Sequence, residues 1–228
     1  MTNKTNLIPP HGGYRKLLSY QSATVVYDFT VEFCKRYVEN WTDWTNKTNK
    51  TNKTNRTDWT DWTDKTDRTD KTKRPPRRQY WSRMSDQMIQ AARSGRQNIA
   101  EGSQASGTSK KTELKLVGVA RASQAELLED YEDFLRQKSL KLWGKDEPRA
   151  KAARELAYRS DRSYETYQTY MSDPENAANC AIVLIHQTNY LLDRQLASLE
   201  KSFLEEGGFT EKLYKSRSEQ RKRQAGNW

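Results

Sequence analysis

The chain of 228 residues is poor in the side chains that carry chemistry. It has two histidines, His11 and His186, and two cysteines, Cys34 and Cys180. It contains no H-E-x-x-H, C-x-x-C, G-x-S-x-G or Walker loop, so zinc-peptidase, thiol-redox, serine-hydrolase and P-loop chemistries have no anchor in it. The Glu-x-x-His pairs of di-iron helical proteins are missing as well, because Val183 stands three residues before His186. No catalytic residue, cofactor or metal ligand is assigned, and the chain reads as non-enzymatic. Long apolar runs are absent too. The longest is Cys180–Ile185, against the ~20 residues of a membrane span. The opening M-T-N-K-T-N-L-I-P-P lacks the apolar core of a signal peptide. A cytoplasmic protein without a membrane partner is expected, with Cys34 and Cys180 as reduced, buried thiols on apolar helix faces.

Hydrophobic residues make up 34% of the chain and the mean hydropathy is −1.11, so part of the sequence lies outside any core. The net charge of +10 is concentrated. Residues 41–80 hold eleven basic against six acidic side chains, and residues 207–228 hold six against two. Nearly all the excess therefore sits in these two segments, which is where affinity for a polyanion is expected.

The remaining sequence is periodic at three and four residues, the signature of helices with one buried face. Leu17, Tyr20, Thr24, Tyr27, Val31, Cys34 and Val38 form the first seam. Trp81, Met84, Met88, Ala91, Gly95 and Ile99 form the second. The third runs through Leu114, Val117, Gln124, Leu128, Tyr131 and Leu135, and the last through Ile182, Ile185, Asn189, Leu192, Leu196, Leu199 and Phe203. These predict helices over Tyr14–Asn40, Gln79–Gly102, Ser109–Leu140 and Asp173–Glu206, with an extra helix near Pro148–Met171. Expected caps are Thr108 or Ser109, Asp146 ahead of Pro148, and Ser172 in a capping box with Glu175; Gly207-Gly208 ends the last long helix. The predicted fold is all-α, an antiparallel up-and-down four-helix bundle with an additional helix and a long low-complexity loop.

Arg93 and the run Asn98-Ile99-Ala100-Glu101-Gly102 precede a Ser/Thr cap, and the helix after it carries A-x-x-S-x-x-E-L at Ala120, Ser123, Glu126 and Leu127. In this order the residues resemble the bacterial four-helix-bundle family of the 23S rRNA intervening-sequence proteins and the accessory proteins of diversity-generating retroelements. The resemblance covers roughly residues 14–40 and 80–136, and the segment after Leu140 is similar to a C-terminal suffix region of some members. It implies a homo-oligomer, with five-membered rings in relatives, binding to RNA or DNA, a reverse transcriptase as partner, and no enzymatic activity.

Along the chain, residues 1–13 are a polar leader, 14–40 the first helix, and 41–78 a low-complexity loop. Residues 79–140 are helices two and three, 141–206 the suffix region with the last long helix, and 207–228 a basic tail. Trp41–Lys73 parses into eleven triplets with Thr in the middle place and Trp, Lys or Arg in the first. A period of three suits neither an amphipathic helix nor a strand. Lengthening a loop from about 6 to about 40 residues costs only about 1.7 kcal/mol, so such an insert is tolerated whether or not it has a use.

Basic side chains at Arg74, Arg77 and Arg78, and at Lys215, Arg217, Arg221, Lys222 and Arg223, are the candidate nucleic-acid contacts, because guanidinium and ammonium groups suit phosphate. In the repeat, Trp41, Trp44, Trp59 and Trp62 alternate with Lys47, Lys50, Lys53 and Arg56, a pattern that suits stacked single-strand bases and equally a neutral drift of a tandem repeat. His186 reads as a packed, hydrogen-bonded residue. The cluster Glu129, Asp130, Glu132, Asp133 reads as a solvated helix face. Asn189 either fixes register or pairs with another buried polar group such as Gln124. Asn98 and Glu101 are read as satisfying backbone groups at the end of helix two, and Gly95 and Gly102 as sites of close packing, Gly102 also as a stop. Two functions follow: a nucleic-acid-binding or retroelement-accessory scaffold, and a protein-interaction scaffold with no nucleic-acid affinity and a passive repeat.

Overall fold

The computed structural model describes residues 11–39, 77–159 and 163–225, and among these every regular element is a helix. The four long ones are α1 (Leu18–Phe33), α2 (Arg77–Ala105), α3 (Lys110–Gln137) and α5 (Pro174–Glu206). A short α4 (Pro148–Glu155) lies between α3 and α5, and α6 (Phe209–Ala225) follows them. No helix among the described residues is long and apolar enough to cross a membrane.

The long helices pack in a closed order, with α1 and α3 each against both α2 and α5. Side-chain pairs fix their directions. Ser19 Oγ donates to Gln195 Oε1 (2.6 Å) and Tyr37 Oη to the Met171 carbonyl (2.6 Å), so α1 and α5 run oppositely. Arg121 meets Asp193 (2.9 Å) and Lys110 meets Ser202, so α3 also opposes α5. Cys34 lies against Met88, while the Gly12 amide reaches the Ser103 carbonyl (3.1 Å), so α2 opposes α1. One pole of the body therefore gathers Glu39, Arg77, Gln137 and Pro174, and the other gathers Gly12, Ala105, Lys110 and Glu206. The 33 residues of α5 separate the two by about 50 Å.

Local chemistry sets the helix ends. Ser109 accepts the Thr112 amide (3.1 Å) and caps α3. Asp173, with Pro174 in the first turn, accepts the Asn176 amide (2.9 Å) and caps α5; Ser172 does not, because Asp173 already holds the extended N-cap backbone. Glu147 rather than Asp146 precedes α4, with no side-chain cap. Gly207 ends α5 at φ +69°, a left-handed conformation that favours glycine. Helix α1 runs on through Cys34–Val38 as a π-type turn closed by Glu39 N–H to the Cys34 carbonyl (2.9 Å). The expected single helix over Pro148–Met171 is instead broken. It stops at the 3₁₀ turn Leu156–Tyr158 and resumes as the 3₁₀ stretch Tyr164–Ser172, where Ser163 and Thr166 form a capping box. A run of Tyr and Thr is a weak α-helix former.

The core has a large cluster at the Tyr37 end, including Phe29, Phe33, Met88, Tyr131, Phe134 and Ile185. A small cluster of Ala23, Ile99, Val117, Ala120 and Leu192 sits toward the other pole. Buried polar groups accompany them: Ser22 shares a hydrogen bond with Thr188 (2.7 Å), and Ser94 shares one with Ser123 (3.0 Å). Gln124 and Asn189 are buried as well. The seams expected on α2, α3 and α5 face inward, with Leu114 and Leu128 half-buried and α5 more exposed beyond Leu192; the Trp81 side chain lies outside the described residues. The α1 seam holds at Cys34 and Val38, which are buried, but was misplaced before them. Its buried face is Ser22, Val26, Phe29 and Phe33, while Tyr20, Thr24, Tyr27 and Val31 lie half-buried at the rim. Tyr rings suit such a rim: Tyr20 packs edge-on to Tyr14, and the Arg96 guanidinium lies 4.2 Å over Tyr27. Cys34 and Cys180 are buried free thiols, and burial pushes the Cys34 thiol up to about 12, so it stays protonated and unreactive.

Candidate nucleic-acid interface

Helix α6 has no buried residue, and Tyr214 stands 76% exposed on it. Its base is tied down. Lys110 and Lys212 both reach Glu206, at 2.9 and 3.2 Å, and hold its carboxyl down to about 2, while Gly208 N–H donates to Glu211 (3.1 Å). Beyond that anchor Lys215, Arg217, Arg221, Lys222 and Arg223 are all exposed, and among the described residues none of them forms an ion pair. Several cations of the body are paired. Arg36 pairs with Glu32, Arg121 with Asp193, Arg136 with Asp133, and Arg149 with Glu147. The tail is thus a helix of unneutralised charge, able to follow phosphates on more than one face.

Arg77 and Arg78 are the first two residues of α2, which starts two residues before the expected Gln79. Arginine is a good helix former, and the start of a helix adds its own positive potential for an anion. Arg74 and the repeat Trp41–Lys73 fall outside the described residues. The two basic segments are not brought together: Arg77 stands at one pole and α6 leaves from the other, so a single short strand of phosphates cannot meet both.

The remaining sequence candidates take other places. His186 is exposed, not packed, because α5 turns it outward beside a groove. Asn98 donates to the Ser94 carbonyl (2.9 Å), one turn back, rather than serving the end of α2, which runs on through Gly102 to Ala105. Gly102 is buried against α3, but a Cβ there would meet the Glu113 carbonyl at 3.4 Å, an ordinary contact that does not require glycine. A Cβ at Gly95 would overlap the Gln124 carboxamide. No hydrogen bond joins Asn189 to Gln124; Asn189 Oδ1 and both polar atoms of the Gln124 amide lack a hydrogen-bond partner. In the acidic cluster, burial together with Asp133, Glu126 and Glu129 raises Asp130 to about 6. No group of His, Cys, Asp or Glu among the described residues is arranged to hold a metal. Sequence reasoning missed the groove beside His186, because its lining is drawn from stretches of chain far apart in sequence.

No family model, curated protein or solved structure matches this chain.

Proposed function

We propose that the chain is a non-enzymatic scaffold, an antiparallel four-helix bundle carrying an additional helix, that assembles as a homo-oligomer and binds RNA or DNA electrostatically through its basic tail. The observation that carries this reading is the exposed set Lys215, Arg217, Arg221, Lys222 and Arg223, without an ion pair among the described residues, on a helix that buries nothing. Arg77 and Arg78 supply a second contact at the opposite pole, for a strand long enough to span the body, and Arg74 precedes them in sequence. The ring of five and the reverse-transcriptase partner rest on the sequence resemblance alone.

Such binding is dominated by counterion release. For a single strand, log K falls by about 0.7 per phosphate for each decade of salt, so five tail contacts give a slope near 3.5. Titrating labelled single-stranded RNA at several salt concentrations tests this. Truncation after Gly208 should flatten the slope by most of that amount, and neutralising Arg74, Arg77 and Arg78 should affect long strands more than short ones. Absence of binding at low salt would leave the protein-interaction scaffold as the function. Light scattering reads the assembly state, and a monomer at tens of micromolar would remove the oligomer from the proposal.

A further inference from the structure

Seven large hydrophobic side chains stand exposed among the described residues, and four of them, Leu18, Leu142, Tyr158 and Tyr190, line one groove. Scattered singly, exposed apolar residues are ordinary; gathered around a concavity they mark a binding site. The groove lies on the outer side of α5. It is walled by α4 and the turn after it, and reaches from the Leu142–Lys145 segment to the start of α1. Its floor is the buried set Trp143, Ala150, Ile182 and Val183. At about 980 Å³, half enclosed, it falls at the upper end of the ~300–1,000 Å³ typical of small-molecule sites.

The polar lining is lopsided. Among the described lining residues Lys145 and Arg154 stand with a single carboxylate, Glu132. Arg154 is held in place, since its Nη2 donates to the Lys145 carbonyl (2.6 Å) and its own carbonyl accepts from Gln187 Nε2 (3.1 Å). Asn179 is used up within the fold: it accepts the Trp143 amide (2.7 Å) and donates to the Lys141 and Glu175 carbonyls. What remains for a ligand is an apolar trough with a cationic corner at Lys145 and Arg154.

We propose that this groove binds a small amphipathic organic anion, an apolar body ending in a single carboxylate or sulfonate. The body lies on Ile182, Val183 and Ala150 between Tyr158 and Tyr190, and the anion meets Lys145 and Arg154. A nucleic-acid strand fits less well, because its charge repeats at every nucleotide whereas the groove's cations gather on one side of an apolar floor.

Anilinonaphthalene sulfonate serves as the fluorescent probe on the full-length chain, with dodecanoate and dodecanol as competitors. Saturable fluorescence enhancement is expected, displaced by dodecanoate and about tenfold more weakly by dodecanol, since a charge-assisted contact is lost. Lys145→Gln with Arg154→Gln should erase that difference and leave dodecanol unchanged. Ala157→Trp should block the groove to both; Tyr190→Asp, at an exposed position, does the same should the first variant unfold by circular dichroism. The proposal is overturned by absence of saturable binding, by equal displacement by the acid and the alcohol, or by insensitivity to all these variants. It is equally overturned if an oligonucleotide displaces the probe, or if light scattering shows self-association expelling it. None of these readouts depends on the tail, so failure here leaves the nucleic-acid reading untouched.

Discussion

Replacing Gln124 by methionine should make this protein more stable. The Gln124 side chain is 0% exposed, and neither atom of its amide has a hydrogen-bond partner. It lies directly over Gly95, whose missing side chain makes the room. A buried polar group without a partner costs about 1–3 kcal/mol. Methionine has nearly the same length and shape and no polar group to desolvate, so it keeps the packing and removes the penalty. A gain of about 1–3 kcal/mol is expected, which for a chain of this size raises the melting temperature by roughly 2–4 °C per kcal/mol. Urea unfolding followed by far-ultraviolet circular dichroism, with an unchanged m-value, is the assay. In the converse experiment, Gly95→Ala drives a methyl into the amide and should cost stability in the wild type. A loss of stability in Gln124→Met would show that the amide is paired and the reasoning wrong.

Asp130 gives a pH signature. Its carboxyl, raised to about 6 by burial and by Asp133, Glu126 and Glu129, holds its proton more tightly in the native state than in the unfolded one. Stability should therefore fall as pH rises from about 4 to about 6 and stay flat above, by about 1–2 kcal/mol after allowing for solvent screening. Asp130→Asn should flatten that window, and an unaltered profile would refute the assignment. Exchanging Trp41–Lys73 for a short Gly/Ser loop should leave helical content and melting nearly unchanged, because loop closure costs grow slowly with length. A large loss of helix would mean that the repeat packs on the body.

What the sequence disclosed follows how far each signal depends on neighbours. The inward faces of α2, α3 and α5 were legible because one apolar stripe dominates each, as Met84, Met88 and Ile99 do on α2. In α1 two stripes compete. Thr24, Tyr27 and Val31 step at the same intervals as Val26, Phe29 and Phe33, and only packing decides which turns inward. Caps shifted by one residue, from Asp146 to Glu147 and from Ser172 to Asp173, since adjacent residues offer nearly equal chemistry. The basic tail was visible as composition, but its projection without a buried residue was not. The groove was hidden entirely, because its walls come from four separate stretches of chain.

One contact at the turn between α2 and α3 bears on how the chain can be re-cut. His11 lies over Gly107, where a Cβ would stand 2.8 Å from its Nδ1, and the Gly12 amide is bonded to Ser103. Residue 12 is thus fixed at the pole where α5 ends at Glu206, while residues 39 and 77 flank the opposite pole. A circular permutant that lacks α6, opened inside 41–73 and closed by a linker from Gly208 to His11, keeps the neighbours of α1 to α5 while moving α1 from first place to last. In that permutant the triplet repeat becomes two free ends, and the α1–α2 pairing no longer needs a loop closed across it.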